Sequence, residues 1–215
     1  PQISRILGAI FCALLLTFQG GCATRYNLYS DYHSVIRETP PETGGNRTVV
    51  LFLIDGFSVP ALNEGEIPSI REFFPQKTLG RAVFPSLTFP NISSILTTRP
   101  VDQHPIIGNQ VFVNGKVINL ESPLNTGFLD QSLKPMSVFT RLAARGESSV
   151  SLAHHFGPGA TVRYGKDIEA GMAYLKGSYE YIDDKLLDSS NRLLEKMSPE
   201  RWPSFVFVHL IGLDS

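Results

Sequence analysis

Cysteine is missing from the body of this 215-residue chain: its two thiols, Cys12 and Cys22, both fall within the first 22 residues. Downstream of them a disulfide framework and a thiolate metal site are excluded, so any metal there must use carboxylates, imidazoles or hydroxyls. An excess of either charge is missing too, with 19 Lys and Arg against 20 Asp and Glu and a formal net charge of −1. That balance offers no basic footprint for a nucleic-acid backbone or an anionic membrane surface, and dedicated nucleic-acid binding is excluded as an expectation. Internal repeats and low-complexity tracts are also absent. Length and ordinary apolar content fit one globular domain with a full core.

Arg5 precedes an apolar run over residues 6–18, followed by Gly20, Gly21 and Cys22. A charged start, an apolar core and small residues make a secretory signal over 1–22. The run falls short of the roughly 20 apolar residues of a comfortable membrane span, although an uncleaved anchor remains the alternative. Gly20-Gly21-Cys22 resembles the lipobox of bacterial lipoproteins, which implies lipidation of Cys22 and attachment to a membrane. Gln19 stands where that pattern has an aliphatic residue, so plain secretion stays open. Either way the expected location is the periplasm or cell envelope.

Residues 23–47 are polar, with Pro40-Pro41 and Gly44-Gly45 as breakers, and are expected to form a tether. The domain is expected over 48–215. Residues 48–54 (TVVLFLI) form a β-branched and aliphatic run of the kind that makes a strand buried on both faces of a parallel sheet, and residues 204–211 (SFVFVHLI) form another. Further strands are expected over 78–84 and 148–153, and helices over 68–74 and 137–145. Asn114-Gly115 between short apolar runs predicts a hairpin over 110–119. A helix over 179–197 carries Ile182, Leu186, Leu187, Leu193, Leu194 and Met197 on one stripe. Strands alternating with helices give an α/β fold with a mostly parallel central sheet.

In such sheets the functional crevice lies at the carboxyl ends of the strands. Both hydrophobic runs finish at an aspartate there, Asp55 directly and Asp214 through Gly212-Leu213. Two carboxylates sharing a crevice need a proton or a cation between them. By itself, Asp55-Gly56 reads first as the start of a turn. Thr88, at the expected start of a helix that continues through 92–98, is either an ordinary cap or a hydroxyl aimed into an anion site.

Three segments then carry a resemblance: Val50-Leu51-Phe52-Leu53-Ile54-Asp55-Gly56, Phe84-Pro85-Ser86-Leu87-Thr88-Phe89-Pro90-Asn91, and His104-Pro105-Ile106-Ile107-Gly108-Asn109. In order and spacing they resemble the type I phosphodiesterase/nucleotide pyrophosphatase branch of the alkaline phosphatase superfamily. The resemblance implies an alkaline phosphatase-like fold and two zinc ions flanking the attacked phosphorus of a phosphate ester, a nucleotide among the candidates. It implies that Asp55 and Thr88 are ligands of the zinc that activates the nucleophile, and that Thr88 is that nucleophile and forms a phospho-threonine. Asp214 matches the first ligand of the second zinc, while Asn109 and the backbone N–H of Phe89 match the donors to a phosphoryl oxygen.

Pro105 replaces a glycine of the family pattern. The later ligands of the family, a histidine four residues after Asp214, an Asp-His pair and a distal histidine, have no counterpart, so the resemblance implies a partial catalytic domain truncated at its C-terminus. Thr88-Phe89-Pro90-Asn91 lacks the Cys/Ser-x-Pro-x-Arg context of a sulfatase. Phosphomonoesterase, phosphonoacetate hydrolase and a non-catalytic envelope lipoprotein remain as alternatives. His154-His155 point to opposite faces of a strand and His209 lies within one, so these are expected to be structural. Asp183, Asp184 and Asp188 are expected on a solvated helix face. Glycosylation patterns at 46–48 and 91–93 carry little weight.

Overall fold

The structure is a computed structural model that describes residues 47–57, 68–76, 78, 80–122, 125–153, 155–164, 168–195 and 202–212. The signal segment, most of the tether, Cys22, His154, Met197 and Asp214 lie outside the described residues. The architecture is α/β. Strands β1 (Val49–Ile54), β4 (Ser149–Leu152), β5 (Val162–Tyr164) and β6 (Phe205–Leu210) form one sheet in the order β1-β6-β4-β5, and every pairing in it is parallel. Strands β2 (Gln110–Val113) and β3 (Lys116–Asn119) form a separate antiparallel hairpin. Asn114 and Gly115 turn it with φ of 50° and 78°, the two left-handed positions that an Asn-Gly turn supplies at least cost.

The helices are α1 (Pro68–Phe73), α2 (Thr88–Thr97), α3 (Thr126–Leu133), α4 (Val138–Ala143), α5 (Ile168–Leu175) and α6 (Tyr179–Glu195). No helix among the described residues is long and apolar enough to cross a membrane. Strand β6 organises the core because its side chains alternate between the two faces of the sheet. Val206 and Val208 join Val150, Leu152, Val162, Ile182, Leu186 and Leu193 beneath α6, whereas Phe207 joins Phe89, Ile92, Leu96 and Phe139 beneath α2 and α4. His209, two residues after Phe207, lies on the α2 side by the same alternation.

Four expectations need correction. Strand β1 is not buried on both faces: among the described residues it pairs only with β6, and Val50 and Phe52 are 42% and 45% exposed. It lies at the edge of the described sheet, and only Leu51 and Leu53 pack against the α2-side core. Residues 78–84 form no strand where they are described; no ladder partner occurs among the described residues, and the Val83 N–H donates to the Asn91 side chain at 2.9 Å. Leu187 is 37% exposed and lies off the buried stripe of α6. Asp183 is not solvated in the manner of Asp184 and Asp188, because its carboxylate accepts the N–H groups of Ile211 and Gly212 at 2.8 and 2.7 Å.

Candidate active site

Helix α2 aims its first residue at the carboxyl edge of the sheet because the rest of it is anchored. Phe89, Ile92, Ser93, Leu96 and Thr97 are buried at helical spacing. Replacing Ile92 or Leu96 with Ala would cost about 2–5 kcal/mol by cavity formation. The helix stops at Thr98, which is left-handed at φ 57°. There Arg141 on α4 donates to the Thr97 carbonyl and the Thr98 hydroxyl, a cation at the negative end of the helix dipole.

The turn before α2 is tied down by Asn91. Its Oδ1 accepts Val83 N–H, and its Nδ2 donates to the carbonyls of Pro85 and Leu87 at 3.2 and 2.8 Å. The side chain is fully committed inside the turn, which explains why the Phe-Pro-Ser-x-Thr-Phe-Pro-Asn segment needs an asparagine at its end. The residue before the helix is Leu87, whose side chain makes no cap hydrogen bond. Thr88 therefore does not spend its hydroxyl in the commonest role of a threonine at this place.

That hydroxyl lies near the carboxylate of Asp55 and favours its charged form. Asp55 follows β1 directly, and its N–H donates to the Leu210 carbonyl of β6 at 2.9 Å, which fixes it at the sheet edge. Its Oδ1 accepts Gly56 N–H at 3.1 Å, and its Oδ2 lies 3.6 Å from Nε2 of His209. Burial pushes the Asp55 carboxyl up, but the His209 imidazole, the Thr88 hydroxyl and the Gly56 N–H outweigh it and hold the group below the usual carboxylate value. His209 is 2% exposed, flanked by the rings of Phe156 and Phe207. It is a core histidine as expected, and it also faces a candidate site carboxylate, which its position inside a strand did not reveal.

On the other side of Thr88, the Phe89 N–H donates to Oδ1 of Asn109 at 3.3 Å, and Nδ2 of Asn109 donates to Oε1 of Glu121 at 2.9 Å. The structure thus brings together Thr88 with Asp55 and Phe89 with Asn109. Asn109 is delivered by a loop pinned through His104. Nδ1 of His104 accepts Ile106 N–H at 3.3 Å, so Nε2 carries the proton and donates to the Ser94 hydroxyl on α2 at 2.9 Å. Burial lowers the His104 pKa, only partly opposed by its own backbone, Asp102 and the Pro90 backbone, and the neutral ring suits both bonds. His155 packs its ring against Phe89 and Tyr174 at centroid distances of 5.5 and 5.0 Å, a structural place as expected.

Asp214 lies two residues beyond the last described one. Ile211 and Gly212, before it, are held by Asp183, and a Cβ at Gly212 would meet Asp183 Oδ2 at 2.8 Å and push that carboxylate aside. Sequence reading missed Glu121, Asp183 and the anchoring role of His104. Glu121 and Asp183 carry no local signal, since their partners are 12 and 28 residues or more away. No group of three or more His, Cys, Asp or Glu side chains able to hold a metal ion occurs among the described residues. Of the expected donor set, they contain the Asp55 carboxylate and the Thr88 hydroxyl, which lie near one another at the sheet edge.

No curated protein matches the chain in a sequence comparison. The family model for type I phosphodiesterase / nucleotide pyrophosphatase matches residues 49–215, which spans β1, the Thr88 turn and the Asn109 loop. Phosphate-ester hydrolysis, in a family that typically depends on metal ions, accords with a hydroxyl and a carboxylate meeting at the sheet edge beside paired amide donors. The chain belongs to the type I phosphodiesterase / nucleotide pyrophosphatase family.

Proposed function

We propose that the chain is an exported, zinc-dependent phosphodiesterase of the nucleotide pyrophosphatase type, with Thr88 as its nucleophile. The observation that carries this reading is the Thr88 hydroxyl, which is outside the cap position of α2 and near the Asp55 carboxylate at the sheet edge. A carboxylate held below its usual pKa is a weak base, whereas an alcohol hydroxyl, like water, gives up its proton only far above neutral pH unless a metal ion lowers its pKa. Asp55 can orient the Thr88 hydroxyl but cannot deprotonate it unaided. The pair therefore suits a divalent cation, with oxygen donors and a retained negative charge.

Asp55 and Thr88 would hold one zinc ion and Asp214 would contribute to a second; when bound, zinc supplies the charge that lowers the hydroxyl pKa and stabilises the phosphoryl oxygens. Thr88 Oγ1 attacks phosphorus in line, and the bond to the leaving alcohol or nucleotide breaks, giving a phospho-threonine. Water then attacks that phosphorus, releasing phosphate monoester and restoring the hydroxyl. The Phe89 N–H and the Asn109 amide stand beside the nucleophile to hydrogen-bond an equatorial oxygen as its charge grows. Phe89 itself is 3% exposed and packed on Phe156 and His155, so its backbone donor is rigidly held.

The substrate class is a small phosphate ester, with nucleotides included. Export is supported by Arg5 and the apolar run over 6–18, and attachment of lipid at Cys22 by the Gly20-Gly21-Cys22 sequence; mass spectrometry of the mature N-terminus would test both. The catalytic reading is tested by supplying the protein with zinc and assaying bis-p-nitrophenyl phosphate beside a Thr88→Ala control. Turnover that requires zinc and disappears in the variant, with a phosphorylated Thr88 peptide trapped at acid pH, is expected. If the zinc-supplied protein hydrolyses neither a diester nor a monoester, a binding role in the envelope replaces it.

A further inference from the structure

We propose that Glu121 is a positioning residue that fixes the orientation of the Asn109 amide, and through it the phosphoryl-oxygen site. The inference rests on the phosphodiesterase reading above. The amide of Asn109 is held at both ends, with Oδ1 accepting from Phe89 N at 3.3 Å and Nδ2 donating to Glu121 Oε1 at 2.9 Å. Both partners demand the same orientation. The N–H of Phe89 can only donate, and a carboxylate oxygen accepts. A flipped amide would set donor against donor and acceptor against acceptor, so Glu121 excludes it.

The carboxylate is not an incidental surface group swinging by. Leu120 beside it is 0% exposed, and its N–H donates to the Asn109 carbonyl at 2.9 Å. The Glu121 N–H donates to Asn119 Oδ1 at 3.1 Å, while Asn125 Nδ2 donates to the Asn119 carbonyl at 2.7 Å. The turn after β3 is therefore tied to the Asn109 loop through both backbone and side chain. This is how supporting partners orient the groups they touch.

The two bonds on Asn109 differ in strength in a useful way. The Phe89 N–H bond is long for its type, and that N–H is one of the four at the start of α2 that lack a partner within the helix. A phosphoryl oxygen, as a charged acceptor, forms shorter bonds of about twice the strength, so it can take this N–H from Asn109. The bond to Glu121 is of normal length and involves a carboxylate. It keeps the amide in place during that exchange, and it uses only one of the two Nδ2 hydrogens, leaving the second for the ligand.

The test compares Glu121→Ala, Glu121→Gln, Asn109→Ala and the Asn109→Ala/Glu121→Ala double variant of the zinc-supplied protein. The readouts are kcat and KM for bis-p-nitrophenyl phosphate and, independently, the affinity for orthophosphate by calorimetry. Asn109→Ala is expected to lower kcat on the order of 10²-fold, as loss of an oxyanion donor does. Glu121→Ala is expected to lower kcat roughly tenfold, the lower end for a supporting partner. Glu121→Gln, which keeps an acceptor, should recover most of that loss, and orthophosphate affinity should fall in the same order. The double variant should match Asn109→Ala alone, because a residue acting through Asn109 has nothing left to position. A Glu121→Ala loss that persists undiminished without Asn109, or a Gln variant as damaged as Ala, overturns the inference and leaves the phosphodiesterase reading standing. If Thr88→Ala and Asn109→Ala both retain the parent activity, that reading fails and the role of Glu121 falls with it.

Discussion

Thr88 and Phe89 are consecutive residues, yet they face two differently built regions. The Thr88 hydroxyl meets Asp55, a carboxylate at the end of a strand, desolvated and beside the buried His209. The Phe89 N–H meets Asn109, an amide on a loop whose orientation the Glu121 carboxylate fixes. The first region stores unbalanced charge, which a cation can meet. The second is held by its own hydrogen bonds, so a ligand takes the Phe89 N–H from Asn109 and meets the Nδ2 hydrogen that Glu121 leaves free. Reaction and recognition are thereby divided between side chain and backbone of adjacent residues, and helix α2 holds the two in register.

The largest effect that separates the regions comes from Asp55→Asn, which keeps the shape and removes the charge. Turnover is expected to fall by at least on the order of 10⁴-fold, as for one member of a set acting as a unit. Zinc content measured on the same preparation should fall with it, while Asn109→Ala leaves zinc content unchanged. Equal zinc retention in the two variants would erase the distinction drawn here.

How far each region could be read from the sequence follows from the same difference. Asp55 and the strand before it are written locally: seven consecutive apolar or β-branched residues end at Asp-Gly, and β6 repeats the pattern. Thr88 was placed by the helix after it. The hairpin was legible in Asn114-Gly115 for a purely backbone reason. By contrast, residues 78–84 have strand-like composition but no pairing neighbour among the described residues, and pairing is a tertiary fact. The exposed face of β1 is another such fact, since composition cannot say whether a strand lies inside a sheet or at its edge. Strand β5 covers three residues, too few for a periodicity, and Glu121 and Asp183 act on partners that only folding brings near.

Asp183 offers the next effect in size. It belongs to the charged side of the comparison, since it holds the backbone between β6 and Asp214. Removing it in Asp183→Ala strands the N–H groups of Ile211 and Gly212 at the sheet edge. Hydrogen bonds to a charged acceptor are worth about 1.5–3 kcal/mol, and partial exposure puts the expected destabilisation at about 2 kcal/mol in urea unfolding. Asp183→Asn keeps one acceptor oxygen and should lose about half as much. A variant as stable as the parent would mean that water replaces the carboxylate and that the chain toward Asp214 is held by other contacts.

The smallest effect probes the amide side through His104, whose ring links the Asn109 loop to α2. The bonds it makes require Nδ1 to accept and Nε2 to donate, which only the neutral ring can do. Because burial lowers its pKa in the folded protein, the unfolded chain binds more protons between the folded and unfolded values. Stability from this group is then fully present above its unfolded pKa of about 6.5 and is lost as pH falls through the folded value. Urea midpoints taken at pH 7.5 and at progressively lower pH should decline over that window, and His104→Asn should flatten this part of the decline. Ser94→Ala, which removes the acceptor of the Nε2 proton, should cost about 1 kcal/mol at pH 7.5 and weaken orthophosphate binding more than it affects zinc content. An equal loss of zinc would mean that α2 transmits the damage to Asp55, and that its two ends are less independent than their separate partners imply.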